Sequence, residues 1–482
     1  MSDTKKKIVV GDQPIYDASS LGAPKIAILG FQHVFAMFGA TVLVPLLTGL
    51  DVSSTLLFAG LGTLLFHFLT KRKVPAFLGS SFAFLGGYAA IAPLNADGSA
   101  SPLLPYACFG VACAGLVYLV LAGLFRVFGA NKVMKFFPPV VTGPIIIAIG
   151  LNLSQSAITN CETNWLIALV AIVVVIVCNI WGKGMVKIIP ILLGVIASYF
   201  VAAVTGNIDF TPVREAAWIG FPIHYENTVF SIFTSGKLDG GLLFASVVTI
   251  VPIAFATMME HIGDISAISS TVGKNYIKDP GLHRTLCGDG LATTLASLFG
   301  APANTTYGEN TGVLTLTKVF DPAIIRLAAV IAAVLSFCPK FAAIIEVMPS
   351  ATIGGISLVL YGMISAVGVR NLVETHVDFS KSRNVLIAAL ILVLSIGINY
   401  SDAGAITFGA VSFSGLATGS LVGILLNAIL PGKDYNFEEE GPNATGVDLQ
   451  IHQGENFADE AEKKNRMALE NLLGFRKSAR YE

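Results

Sequence analysis

The chain has 482 residues, of which 54% are hydrophobic and only 13% charged, where a soluble domain carries about 25% charged residues. That balance excludes an ordinary soluble enzyme and describes a protein that crosses a bilayer many times. The formal net charge of -1, with no basic stripe outside the loops, gives no support to a nucleic-acid partner. The 48 glycines suit close helix packing and interrupted helices. Cys108, Cys113, Cys161, Cys178, Cys287 and Cys338 include no C-x-x-C pair, so they read as small apolar residues and not as a disulfide or metal framework.

A helix needs about 20 apolar residues to cross a membrane. On that rule the chain is expected to hold 14 crossings. No cleavable signal precedes them, because the polar start runs straight into a full-length span. The first seven lie at 25–47, 52–69, 74–95, 103–128, 133–153, 164–181 and 186–205, and a polar segment, 206–238, follows. The second seven lie at 239–262, 283–300, 301–319, 323–339, 342–368, 384–399 and 408–431, ahead of a charged tail with one expected amphipathic helix at 458–475. With both termini in the cytoplasm, only Arg214, Lys237 and Lys340 of the 30 Lys and Arg fall outside, as the positive-inside rule requires.

Two internal matches cut this series in half. Phe137-Pro-Pro-Val-Val-Thr-Gly-Pro-Ile145 aligns with Met348-Pro-Ser-Ala-Thr-Ile-Gly-Gly-Ile356 at an offset of 211. Pro75-Ala-Phe-Leu-Gly-Ser-Ser-Phe82 aligns with Pro302-Ala-Asn-Thr-Thr-Tyr-Gly-Glu309 at 227. A repeat of seven spans is odd, so its two copies must lie in opposite orientations, as in many secondary transporters whose site sits at the repeat interface. The expected fold is therefore an all-α polytopic membrane protein with a 7+7 inverted repeat.

The second match covers the two least helical spans. Leu78-Gly-Ser-Ser-Phe-Ala-Phe84 and the stretch up to Gly308 read as extended, and paired as short antiparallel strands they satisfy each other's backbone inside the membrane. Two half-helix N-termini then point their free N–H groups into one pocket. Glu309 and Asn310 open the second half-helix, and a carboxylate at membrane depth marks a candidate functional site. Phe82, at the matched position opposite Glu309, is placed to stack on a flat ligand.

In Phe255-Ala-Thr-Met-Met-Glu-His-Ile-Gly-Asp264, Glu260 and Asp264 share a helix face. Two acids there with no neighbouring cation repel each other and resist desolvation, which suits a group that takes up a proton during transport. The plainer alternative for Asp264 is a solvated acid at the cytoplasmic end of the helix. His261 reads as a packing or interfacial histidine. Gln32 and His33 lie mid-span and tie the first span to its neighbours, while Asp289, read as an acid near a helix start, has a structural role. Glu346 and Glu162 read as solvated. No G-x-x-x-x-G-K-[ST], G-x-S-x-G or H-E-x-x-H run occurs, so the sequence supports neither ATP-driven pumping nor hydrolysis.

Glu309-Asn-Thr-Gly-Val-Leu-Thr-Leu-Thr-Lys318 fits the signature of the nucleobase/ascorbate transporter family, [Q/E/P]-N-x-G-x-x-x-x-T-[R/K/G], at every fixed position. The runs Pro302–Glu309, Gly79–Phe84 and Gln32-His33 also resemble that family, over about residues 25–431. The resemblance implies a core domain, 25–130 with 239–340, moving against a gate domain, 131–238 with 341–431, between a cytoplasmic N-terminal segment, 1–24, and a tail, 432–482. It also implies a homodimer in the bacterial inner membrane. Glu260 and Glu309 would bind the polar edge of a base, with backbone amides around Phe82 and Gly308 completing the site, Ser81 and Tyr307 beside them, and Asn310 shaping it. Glu309 at the first signature position resembles the uracil permeases, so the expected substrate is uracil, carried with a proton as coupling ion through Glu260, Asp264 and Glu309 and without a cofactor or metal. Asp264 departs from the histidine some uracil permeases carry there and keeps xanthine, urate or a broader purine range open. An anion transporter or channel of the related 7+7 fold is the alternative of another class.

Overall fold

The computed structural model describes residues 10–432 apart from 12, 96–98, 130–131, 134, 235–237 and 409–410. The expected amphipathic helix at 458–475 lies outside the described residues. Seven helices among them are long and apolar enough to cross a membrane: Ala23–Thr48, Val52–Leu69, Leu104–Phe128, Pro139–Glu162, Gly240–Val272, Ser350–Val373 and Ser382–Asn399. Shorter apolar helices cover Phe82–Ile91, Trp165–Trp181, Pro190–Val204 and Gly415–Ile429. The spans expected from apolar length alone therefore differ in how they are built.

Local chemistry explains most of the boundaries. Asp51 accepts from Ser54 N–H and starts Val52–Leu69, and Gly49 in the left-handed region ends the helix before it. Pro138 and Pro349, partners in the 211 offset, each stand in extended conformation just before a helix, Pro139–Asn152 and Ser350–Glu374. The two halves thus repeat the same extended proline and helix start.

Three expectations are corrected. The span placed at 239–262 runs on to Val272, through a short 3-10 turn at Val251–Ile253, so Glu260 and Asp264 are not at its end. The span placed at 342–368 does not begin at 342. Pro339–Glu346 is a separate helix bent 88° from Pro322–Leu335, and the long helix starts afresh at Ser350. The bend follows from Cys338-Pro339, since the residue before a proline is pushed out of the helical region. The boundary at 340 and 341 consequently falls inside this connector. The span placed at 408–431 begins as a strand pair, β3 (Ala405–Phe408) with β4 (Val411–Ser414), and becomes helical only at Gly415, where Ser414 caps Ala417 N–H.

At the centre, β1 (Leu78–Ser80) and β2 (Asn304–Thr306) pair antiparallel, Leu78 with Thr306, Gly79 with Thr305 and Ser80 with Asn304. Exchanging each residue for its partner at an offset of 227 turns the Leu78 pairing into the Gly79 pairing, so the ladder lies on the repeat axis. Ser81 N–H donates to Ala303 O (2.8 Å) and Tyr307 N–H to Phe77 O (3.0 Å), extending it by one bond at each end. Residues Leu78, Ser80, Asn304, Thr305 and Thr306 are all buried. An unpaired extended segment there would leave several N–H and C=O groups unsatisfied, which the apolar interior does not tolerate. Two such segments crossing solve the problem for each other.

Candidate functional site at the strand crossing

Each strand hands over directly to a helical start. Phe82–Phe84 forms a 3-10 turn leading into Leu85–Ile91, and Gly308–Thr317 follows β2. The ladder uses the N–H groups of Ser81 and Tyr307, so Phe82 and Gly308 are the first residues beyond it. N–H groups in a first helical turn have no acceptor within the helix, and neither turn has a side-chain cap. Gly308 is exposed, and a Cβ built on it would meet nothing within 4 Å. Open space therefore lies against this helix start.

Glu309 is half-buried in the first turn, and Glu260 and Asp264 are half-buried on Ala254–Val272, which packs against Gly308–Thr317. Glu260, Asp264, Asp289 and Glu309 are close enough to act on one another electrostatically. Glu260 Oε2 is buried with no hydrogen-bond partner among the described residues. Asp264 does not behave as a solvated helix-end acid, because its Oδ2 accepts from Thr306 Oγ1 in β2 at 2.8 Å.

The supporting polar residues are also assembled. Asn310 Nδ2 donates to His33 Nδ1 and to His33 O, both at 3.1 Å, which fastens Ala23–Thr48 to the Glu309 half-helix. Gln32 is half-buried beside it. Behind the strands one reading is corrected and another narrowed. Asp289 is not near a helix start: it sits midway along Leu282–Leu298 and is fully buried. Of the two readings of His261, the interfacial one is excluded: the ring is packed inside and fully buried, with Nδ1 3.2 Å from Asp289 Oδ2. The spacing along one helix gave no sign of this pair, because its members come from different helices.

Two candidates are used differently from the simplest expectation. The Tyr307 side chain is turned into the packing, its hydroxyl donating to Ser80 O at 2.9 Å and accepting from Thr41 Oγ1 at 3.3 Å, so it holds the strands together. The Ser81 amide is spent in the ladder, while its buried hydroxyl has no partner among the described residues. Phe82 is 8% exposed and meets Tyr361 of Ser350–Glu374 edge to face, with ring centroids 5.8 Å apart. Sequence reasoning passed over Tyr361, whose buried hydroxyl has no hydrogen-bond partner within bonding geometry among the described residues. A tyrosine in an apolar span was the available signal, since a buried phenol normally finds a partner.

Among the described residues no cluster of His, Cys, Asp and Glu has the arrangement of a metal site, and the six cysteines are unpaired.

Residues 24–404 match the family model described as "Permease family", which represents the nucleobase/ascorbate transporters. The chain belongs to the nucleobase/ascorbate transporter family. Within it, the chain is 40% identical over 417 residues to a uracil permease of Bacillus caldolyticus, covering 84% of this chain and 92% of the relative. It is 39% identical to a uracil permease of Bacillus subtilis (83% and 91% covered) and 37% identical to a putative pyrimidine permease of Escherichia coli K12 (84% and 90% covered). Among solved structures, the transmembrane domain of the cyanobacterial bicarbonate transporter BicA aligns with a TM-score of 0.54 at 15% identity, over 86% of this chain and 99% of that domain. SLC26A9 aligns with a TM-score of 0.59 at 13% identity, over 86% of this chain and 66% of that one. At such identities these likenesses speak for the fold of this family member and for nothing more.

Proposed function

We propose that the chain imports uracil across the bacterial inner membrane by proton symport. The observation that carries this reading is the meeting of Glu260 and Glu309 beside the open helix start at Gly308. Uracil is flat and alternates ring N–H donors with carbonyl acceptors. Carboxylates accept from the N–H groups, free backbone amides of Phe82 and Gly308 donate to the carbonyls, and Phe82 covers the face. Asn310, held on His33, fixes the start of the half-helix. A carboxyl that gains a proton as the base binds and loses it as the base leaves links the two movements; Glu260, Asp264 and Glu309 are the groups available. The uracil and pyrimidine permeases among the relatives support the substrate class.

Transport on this reading moves a core domain, 25–130 with 239–340, against a gate domain, 131–238 with 341–431, the last division falling in the Pro339–Glu346 connector. Packing supports the grouping: Leu104–Phe128 lies along Leu282–Leu298, Val52–Leu69 along Pro322–Leu335, and Pro139–Asn152 along Ser350–Glu374. Phe82 against Tyr361 spans the two groups. Cytoplasmic termini and a homodimer belong to the same proposal.

Uptake of radiolabelled uracil, competed with unlabelled uracil, xanthine, hypoxanthine and urate, tests it. Uracil alone should compete strongly, Glu309→Ala should abolish binding and uptake, and Glu260→Gln should severely reduce transport. Strong competition by xanthine with none from uracil would overturn the substrate, and full uptake in both variants would overturn the site.

A further inference from the structure

The polar chain behind the strands has a direction. His261 Nδ1 faces Asp289 Oδ2 at 3.2 Å and Thr306 Oγ1 at 3.5 Å, and Thr306 Oγ1 donates to Asp264 Oδ2 at 2.8 Å. Asp289 and His261 are sealed from solvent, Thr306 is 2% exposed, and Asp264 is half-buried at the edge of the site. Both Asp289 oxygens lack a hydrogen bond among the described residues, so the carboxyl stands within reach of the imidazole but off its hydrogen-bond line. His261 Nε2 is likewise buried and unpartnered, and Phe66 meets the ring edge to face at 6.2 Å. A fully buried acid, imidazole and hydroxyl are costly to keep as packing, since each loses its water and gains few partners.

We propose that His261 and Thr306 form a proton path between Asp289, inside the protein, and Asp264, at the site. The inference rests on the symport reading and deepens it. The step balances as an exchange between two carboxyls. A proton leaves Asp289 Oδ2 for His261 Nδ1, His261 Nδ1 passes a proton to Thr306 Oγ1, and Thr306 gives its own to Asp264 Oδ2. Asp289 ends ionised and Asp264 protonated, and the reverse sequence restores the start. Asp289 thus stores a proton away from the ligand and frees the acids at the site between binding and release.

The surroundings leave the path little competition. The Gly308–Thr317 helix brings Glu309, Leu104–Phe128 brings Tyr118, whose hydroxyl bonds Thr257 Oγ1, and the turn Ile277–Gly281 brings Lys278 and Asp279 only at its exposed end. Glu260 lies on the same helix as His261, and His67 is separated from it by Phe66. Pro139–Asn152, Gly415–Ile429 and β2 bring no titratable side chain. Thr306 stands three residues before Glu309, so movement of that half-helix on ligand binding reaches the hydroxyl through the backbone.

The test uses the full-length protein in proteoliposomes, with uracil accumulation driven by a pH gradient measured beside uracil exchange at equal pH. Thr306→Val should keep exchange while gradient-driven accumulation falls by about 100-fold, the low end for a lost proton-transfer group. Thr306→Ser should retain both, and His261→Gln should match Thr306→Val. Accumulation preserved in Thr306→Val overturns the path, as does parallel loss of exchange and accumulation in Thr306→Val and Thr306→Ser, which marks a structural role. Where Thr306→Val does not fold, by thermal unfolding with and without uracil, His261→Gln decides on the same two readouts. A wild-type protein that exchanges uracil but ignores the gradient overturns the symport reading itself, whereas a responsive wild type with an equally responsive Thr306→Val overturns only the path.

Discussion

Two glycines in the crossing segments separate a binding role from a structural one. A Cβ at Gly308 meets nothing within 4 Å, and its backbone is not in the left-handed region. Alanine there is therefore neutral for folding or favourable by up to about 1 kcal/mol, because glycine loses more backbone freedom in a helix. A Cβ at Gly79 would lie 2.5 Å from Cε2 and Cζ of Tyr307 and 2.7 Å from Thr41 Oγ1. That ring cannot retreat easily, since its hydroxyl is bonded to Ser80 O and Thr41. Gly79→Ala should cost about 1–3 kcal/mol of stability, the usual range for overpacking. Gly308→Ala should leave thermal unfolding unchanged or slightly raised yet weaken uracil binding, because the methyl occupies the space through which a ligand carbonyl reaches the Gly308 amide. A similar 1–3 kcal/mol penalty raises Kd by roughly 5- to 150-fold. Equilibrium binding and thermal unfolding of the purified protein measure the two effects separately. Unchanged uracil affinity in Gly308→Ala would refute a ligand at this helix end, and a large loss of stability would refute the open space itself.

Asn310→Ala leaves His33 Nδ1 and its carbonyl without their donor and should cost about 1–3 kcal/mol of stability; thermal unfolding equal to wild type would show that the His33 tie carries no weight. Lys340 Nζ donates to Val213 O (3.0 Å) and Arg214 O (3.4 Å) and lies 5.2 Å from the Trp218 ring centroid. Lys340→Met should lose about 1 kcal/mol from the end of the Thr211–Glu215 helix and speed proteolytic cleavage between 211 and 234. An unaltered cleavage pattern would show that the segment is held by other contacts.

The features that were legible in the sequence are those imposed by one segment at a time or by the repeat. Val52–Leu69 was placed to the residue, because an apolar run bounded by Asp51 and by Thr70-Lys-Arg-Lys73 leaves no freedom. The β1 and β2 crossing followed from two matched stretches of poor helix chemistry, each needing the other's backbone. The Pro339–Glu346 bend was missed because its residues remain apolar on both sides of Cys338-Pro339, so hydropathy passes through the corner unaltered. The β3 and β4 pair was missed although Ile406-Thr407-Phe408 and Val411-Ser412-Phe413-Ser414 alternate, because a count of apolar residues ignores their period. Asp289 with His261 was missed because the partner of a buried acid is chosen by helix packing across 28 positions of sequence, which no periodicity encodes. The family signature located Glu309 and Asn310 but not Tyr361, which lies outside it.

Under the expected topology Lys340 is one of three basic residues on the non-cytoplasmic side, and its contacts account for its being tolerated there. It is not a free charge at a membrane surface: its ammonium serves as a cap for carbonyls of the 206–234 segment. Lys340 N–H donates to Ala217 O, Gly220 N–H to Phe337 O, and Phe221 and Phe337 meet edge to face with centroids 6.5 Å apart. The same segment reaches Val52–Leu69 through Ser54, whose hydroxyl donates to Pro222 O, and the end of Leu282–Leu298 through Val229 N–H to Leu298 O. Under the proposed domain division, the passage from gate to core and the passage from core back to gate are therefore fastened to each other on one side of the protein. Under the same proposal, sliding of core against gate along that side would have to break the bonds at Lys340, Gly220 and Ala217 together. On that proposal, a movement that leaves the joined connectors in place would still change the Phe82 and Tyr361 contact at the site.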